Sequence, residues 1–373
     1  MKNRQLYIGL MSGTSADGID LALVDFSENK PHLIASFYQA YDDTTHQYIT
    51  RLYQTQANEI DLAFALDVLL AQQFALAISY FIKQEQLLAS DIIAIGNHGQ
   101  TIRHRPNTET NVAAPFTLQI GCSQTIATLT GIRVIGQFRK KDMVVGGQGA
   151  PLVPAFHRAL FPRESGDVFV VNIGGIANIT YLSSEKEQSI LGFDTGPGNA
   201  LMDNWYQAHQ EGRYDIDGHW AKSGTINNEL LLKMLDDPYF KKSPPKSTGR
   251  EYFNHTWLTQ YVANSTLSAA DIQATLTALT CHTICQQITL LSTKGNVYLC
   301  GGGTFNIHLV NQLKHELTNH YVSNSDVIGI NSDALEAMAF AWFAYAFDKK
   351  IIGNIPAVTG ASKEVVLGNA FNP

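Results

Sequence analysis

The chain has 373 residues, and 26 lysines and arginines against 33 aspartates and glutamates leave a formal charge of −7. With 45% hydrophobic and 16% charged residues it has an ordinary globular composition, which argues against disorder. The mild acidity offers no basic face for duplex nucleic acid, and no run approaches the roughly 18–20 apolar residues of a membrane helix. The apolar stretch behind the N-terminal MKNRQ falls short of the roughly 7–15 residues of a signal peptide. A cytoplasmic protein with neither nucleic-acid nor membrane partners is the expectation. The four cysteines, Cys122, Cys281, Cys285 and Cys300, include one close pair, spaced C-x-x-x-C. That spacing matches neither a redox C-x-x-C nor a paired zinc framework, so free thiols are expected and no metal site.

In chain order, Gln5–Leu10 reads as a buried strand, Met11–Gly18 as a Gly/Ser/Thr turn and Ile19–Phe26 as the returning strand. Leu62–Gln84 has helical spacing of apolar residues. Asp91–Gly96 reads as a short strand ending in Asn97-His-Gly-Gln-Thr101, Leu118–Ala127 opens a turn and helix, and Arg133–Gln137 is another strand. Gly146-Gly-Gln-Gly149 breaks the pattern and marks a hinge near 135–150. Asp167–Ile173, Gly174-Gly175 and Ile176–Leu182 then repeat the opening design of strand, glycine turn and strand. Asp236–Phe253, rich in proline and lysine, reads as an extended surface loop. Ser268–Leu291 is a long helix, Asn296–Cys300 a strand opening into Gly301-Gly302-Gly303, and Ser332–Phe347 a helix rich in alanine and aromatics. Strands alternating with helices, with one hairpin recurring, point to an α/β protein of two similar halves.

Three buried strands feed glycine-rich turns: Gly13–Gly18, Gly174-Gly175 and Gly301–Thr304. Glycine lets a backbone approach a phosphate closely, so that successive N–H groups point at the anion. Hydroxyls of Ser12, Thr14 and Ser15 would add donors, and Asp17 would hold a hydrated Mg²⁺. None of these turns is a P-loop, because no lysine follows the first one, and none is a Rossmann G-x-G-x-x-G. Singly each is explained by a tight hairpin; together they favour a nucleotide.

The segment Gly9-Leu-Met-Ser-Gly-Thr-Ser-Ala-Asp-Gly-Ile-Asp20 resembles the opening signature of the anhydro-N-acetylmuramic acid kinases. So do Asn97–Thr101, Gly146-Gly-Gln-Gly-Ala-Pro151, Asn172-Ile-Gly-Gly-Ile-Ala-Asn178, Gly192-Phe-Asp-Thr-Gly-Pro-Gly-Asn199 and Cys300-Gly-Gly-Gly-Thr-Phe-Asn306, in the expected order along nearly the whole chain. The resemblance places the chain in the superfamily of sugar kinases, Hsp70 and actin. It implies two ribonuclease-H-like domains, each a mixed five-stranded sheet flanked by helices, with ATP in the interdomain cleft. The expected boundaries are 1–137 for the first lobe, with 355–373 as a candidate return to it, and 138–354 for the second.

By the same resemblance, Ser12, Gly13, Thr14, Ser15, Ala16, Asp17, Gly18, Ile19 and Asp20 surround the ATP phosphates. Asn172, Gly174 and Gly175 form the second phosphate contact, and Gly301, Gly302 and Gly303 lie beside the adenosine. The implied substrate is 1,6-anhydro-N-acetylmuramic acid, an amino sugar of cell-wall recycling whose O6 is tied to its own anomeric carbon. Water must attack C1 while the departing O6 takes the γ-phosphoryl group, as in an inverting glycosidase where a carboxylate activates water opposite the leaving oxygen. Asp194 is the candidate base, although an Asp before Thr-Gly also serves as a turn or helix cap. Glu336, the one acid in an otherwise apolar helical stretch, is a candidate sugar contact or a helix-dipole partner. His98, Gln100 and Thr101 are further candidates for the sugar, with Gly196 and Asn199 around the turn, and Arg139 or Arg250 for its lactyl carboxylate. Met143-Val144-Val145 departs from the small residues associated with the family at that point, which should change local packing. A homodimer is implied by the family. Two alternatives stay open: an actin- or Hsp70-like ATPase clamp, and a sugar kinase acting on a free hydroxyl.

Overall fold

A computed structural model describes residues 4–28, 30–106, 113–161, 166–185, 190–250, 252–263, 265–328, 332 and 334–373. The chain divides into two compact units, residues 1–160 with 334–373, and residues 161–333.

The first unit is built on β1 (Leu6–Ser12), β2 (Gly18–Asp25), β3 (His32–Ala40), β4 (Ile92–Arg105), β5 (Phe116–Ile120) and β6 (Val134–Gly136), closed at one edge by the C-terminal strand Asn369–Phe371. Its order is C-terminal strand, β6, β4, β1, β2, β3, with β5 paired to the far part of β4. β1 runs antiparallel to β2, with Gly9 opposite Ala22, and parallel to β4, with Gly9 opposite Gly96. Successive strand residues face opposite sides. Accordingly Leu6, Ile8 and Leu10 pack in one core with Leu66, Phe74, Ile78 and Phe81 of the helix Glu59–Gln84. Gly9 and Gly96 point the other way, where the helix Leu335–Asp348 lies so close that a Cβ would collide with the carbonyls of Ala337 and Phe340. This close seat explains the alanines of that helix and its lack of a polar face, since residues from Ala337 to Ala344 are all buried.

The second unit carries β7 (Val168–Ile173), β8 (Ile176–Leu182), β9 (Leu191–Pro197), β10 (Gly295–Cys300) and β11 (His320–Asn324), ordered β11, β10, β7, β8, β9. β7 to β9 form an antiparallel meander, and β10 and β11 add parallel strands. The same order and polarity hold for β6, β4, β1, β2 and β3 of the first unit, so the repeated hairpin belongs to a repeated five-strand design.

Several expectations need correction. The first sheet has seven strands, because β5 and the C-terminal strand, both short, extend the five. Asn97–Thr101 is no strand end: β4 continues to Arg105, since β5 returns antiparallel to pair with residues 100–105. Residues 118–127 therefore open as strand β5, and the helix there is Ser123–Thr130. The helix Leu335–Asp348 starts later than Ser332, and Asp333 lies outside the described residues.

The Gly146–Gly149 turn is not a boundary, and the units part at 160/161 and 333/334 instead of 137/138 and 354/355. The buried carboxylate of Asp142 ties that turn to the C-terminal segment. It accepts the Gly149 N–H, the Thr359 hydroxyl and the Asn354 amide, each at 2.8 Å. Met143 lies against Gly149 at the departure noted above. The helix Glu59–Gln84 is, by length and composition alone, long and apolar enough to cross a membrane, contrary to the sequence expectation; 44% of its most apolar window is buried.

Candidate active site

The first glycine turn follows β1 and is held from below. The buried Ser12 hydroxyl contacts Gln100 Oε1, with Gly18 O at 3.1 Å and the Tyr41 hydroxyl at 2.8 Å. Gln100 Nε2 donates to Gly13 O at 3.0 Å, and the Tyr53 hydroxyl donates to Thr14 O at 2.8 Å. Tyr41 N–H and the Tyr38 hydroxyl both donate to Asp17 O. Ala16 closes the turn onto Gly13 O at 3.0 Å with φ 57°, a conformation that a side chain other than glycine's adopts rarely. Ser12 and Gln100 thus support the turn, Ser12 from under Gly18 and Gln100 from under Gly13. Thr14 and Asp17 remain exposed, Ser15 and Asp20 half-buried, and Ile19 is core.

A second cluster in this unit joins His98, Arg139 and Glu336. Arg139 Nε and Nη2 approach His98 Nε2 at 3.1 and 2.9 Å, and Nη1 donates to Gly149 O at 2.8 Å. Because Nε2 must accept, the imidazole proton is on Nδ1, which donates to Gly99 O at 2.7 Å. Burial first, then the Arg139 charge, pushes the His98 pKa down to about 3, so this imidazole is neutral. Burial lowers Arg139 to about 10 while the Glu336 charge works to keep it protonated. Two expected site residues thus meet, and the charge of a third, Glu336, is felt at Arg139. His98 is committed to holding Arg139, however, and the Thr101 hydroxyl accepts from Gln119 at 3.2 Å. Asn97, His98 and Gly99 also line a cavity of about 320 Å³ with Asp67 and Lys140.

In the second unit three glycine turns converge. Asn199 N–H donates to Gly174 O at 2.7 Å and Gly198 N–H to Gly175 O at 2.9 Å. Asn199 Nδ2 donates to Ile173 O at 3.2 Å, and Thr280 braces the turn from behind by reaching Pro197 O and Gly198 O. A Cβ at Gly198 would strike Gly174 O, and one at Gly301 would strike Asn172 Oδ1. Gly196, at φ 151°, passes under the Phe240 ring, and the Arg250 guanidinium covers Gly175.

The opposite sides of some of these glycines are open. A Cβ on Gly13, Gly174 or Gly302 would meet no heavy atom nearer than 3.6 Å. Open backbone in both units fits a phosphate-bearing ligand, and the exposed Asp17 carboxylate fits a hydrated cation.

Asp194 stands on β9, half-buried. Its Oδ2 accepts the Thr248 N–H at 2.9 Å, its N–H donates to Lys246 O at 3.0 Å, and the Tyr239 hydroxyl donates to its carbonyl at 2.8 Å. These three partners lie in 236–253, a loop as expected, but one that sends several side chains inward. Tyr239, Phe240, Lys246 and Phe253 are buried; the Phe240 and Phe253 rings stack, and Tyr239 and Tyr252 meet them edge to face. Sequence reading missed Tyr239, Lys246 and Thr248; the available signal was aromatic residues at both ends of a stretch otherwise taken for polar. All four cysteines are free. Cys281 and Cys285, one helical turn apart, have sulfurs 3.9 Å apart, and Cys281 Sγ lies 3.5 Å from Glu316 Oε1.

A family model described as Anhydro-N-acetylmuramic acid kinase matches residues 5–373. An anhydro-N-acetylmuramic acid kinase of Colwellia psychrerythraea is 54% identical over 98% of this chain and 97% of its own. That of Shewanella denitrificans is 47% identical over the full length of both. A ROK family glucokinase from Streptomyces griseus, solved with glucose and AMPPNP, aligns at a TM-score of 0.41 and 11% identity over 90% of this chain and 97% of that one, a likeness too loose to carry weight. The chain belongs to the anhydro-N-acetylmuramic acid kinase family.

Proposed function

We propose that Asp194 is the general base of a reaction that opens 1,6-anhydro-N-acetylmuramic acid with water and places the γ-phosphoryl group of ATP on the freed O6. The activity is that of the family, an anhydro-N-acetylmuramic acid kinase, which uses ATP as donor and works on a small sugar of cell-wall recycling. The observation that carries the assignment of Asp194 is its setting: a half-buried carboxylate whose Oδ2 accepts the Thr248 N–H, on the strand that leads into the Gly196–Asn199 turn, which is itself bonded to the hairpin Gly174-Gly175. A carboxylate so held takes a proton from water as it attacks C1. No protonated partner is required, because the departing alkoxide is captured by phosphorus rather than by a proton.

The remaining roles follow from position. Thr14, Ser15 and the N–H groups of the first turn receive phosphate oxygens, as do those at Asn172, Gly174 and Gly175, while Gly301–Gly303 adjoin the adenosine. Asp17 is the candidate for a hydrated Mg²⁺, which when bound neutralises charge on the transferring group. Arg139, held by His98 and balanced by Glu336, orients Glu336 toward the sugar. A homodimer and a cytoplasmic setting complete the proposal; the free thiols support the second of these.

The test is ADP release on 1,6-anhydro-N-acetylmuramic acid beside N-acetylglucosamine and glucose, with product made in ¹⁸O-water. Turnover of the anhydro-sugar with solvent oxygen at C1 is expected. Faster turnover of a free-hydroxyl sugar, or label absent from C1, rejects the ring-opening mechanism.

A further inference from the structure

Lys246 is 8% exposed, and its Nζ has no hydrogen-bond partner among the described residues. An ammonium taken out of water without an acceptor is costly, and proteins retain one where a ligand supplies the missing oxygen. Its surroundings are those of the proposed base. Nζ lies 5.1 Å from the centroid of the Tyr239 ring, whose hydroxyl bonds the Asp194 carbonyl, and the Lys246 carbonyl accepts the Asp194 N–H. Lys242 approaches the same ring at 5.8 Å, which adds positive charge. Burial and Lys242 work to discharge the amine, while Asp194 works to keep it protonated. Its neighbours in the chain Lys241, Lys242, Ser243, Pro245 and Ser247 are exposed.

The substrate is an acid, and its carboxylate needs a cation. Arg139 spends its guanidinium on His98 and Gly149 O. Arg250 is exposed and lies over the backbone at Gly175. Lys246 is a buried cation beside Asp194 whose donors are unmet among the described residues.

We propose that Lys246 receives the carboxylate of the bound sugar acid and makes the site selective for it over the neutral anhydro-sugar. The inference rests on Asp194 lining the sugar site. Its test is steady-state kinetics of wild type, Lys246→Met and Lys246→Arg on 1,6-anhydro-N-acetylmuramic acid and on 1,6-anhydro-N-acetylglucosamine, which lacks the lactyl group. Wild type should show a KM about 10–100-fold lower for the acid, the worth of a charge-assisted hydrogen bond. Lys246→Met should raise the KM of the acid to near that of the neutral sugar, and any change in kcat should be shared by both sugars, because the ammonium also faces Asp194. Lys246→Arg should recover part of the difference, and the melting temperature of Lys246→Met should hold or rise, because there an unpaired buried charge has gone.

Equal losses on both sugars, a fall in kcat at constant KM, or a wild type indifferent to the lactyl group overturns the proposal. The wild-type comparison needs no variant, so a variant that fails to fold does not shield it. If instead wild type binds ATP and turns over neither sugar, the functional reading itself has failed.

Discussion

Replacing Asp194 by asparagine keeps the shape of the side chain and removes its charge. The structure sets the size of the side effects. Of the hydrogen bonds described at this residue, those to Lys246 O and from Tyr239 use the backbone and survive. The third, from Thr248 N–H to Oδ2 at 2.9 Å, is remade by the amide oxygen as a neutral bond. That exchange costs about 1 kcal/mol. In a domain of about 150–250 residues such a loss lowers Tm by roughly 2–4 °C. Loss of a general base costs about 10²–10⁴ in kcat, or about 3–5 kcal/mol of barrier. The variant should therefore be folded, should bind ATP like wild type by calorimetry and should be nearly silent in ADP release on the anhydro-sugar. Retention of more than about 1% of kcat would refute the base assignment, because that is the mildest deficit a lost base leaves.

Three further outcomes follow from contacts elsewhere. Gly198→Ala drives a Cβ into Gly174 O, and overpacking of this kind costs about 1–3 kcal/mol; denaturant unfolding should register it, together with weaker ATP binding as the two turns separate. Ser12→Ala strips the hydroxyl from between Gly18 O and Gln100 Oε1, and should cost about 1–3 kcal/mol by the same measurement. The third outcome concerns pH. Burial holds His98 and His157 at pKa values of about 3 against an ordinary 6.5, so between these values the unfolded chain binds protons that the native one does not. Stability should then fall as pH drops from about 6.5 toward 3, by about 1.4 kcal/mol per pH unit for each of the two. His157→Gln should reduce that slope in urea titrations at stepped pH; an unchanged slope means His157 already titrates normally in the native state.

What the sequence determined by itself is the local part. The hairpins at Leu6–Asp25 and Val168–Leu182 are written as apolar runs around glycine turns, and the long helices as three- and four-residue spacing, because strand alternation and helical period are properties of neighbours in the chain. The family motifs lie in these same turns. The sequence did not determine what pairs with them. Ser12 meets Gln100 across 88 residues and Asp194 meets Thr248 across 54, and such contacts depend on strand register and on which faces are buried. Thus that Gln100 supports the first turn, and that His98 holds Arg139, could not be read from neighbours in the chain. The polar-looking stretch from 236 to 253 folds inward because its aromatic residues find a core that the chain around them does not announce. Lys246 is carried in with them. Whether a charged side chain is a surface ornament or a buried donor awaiting an acceptor is decided by the solvent it loses, and only the tertiary structure takes that solvent away.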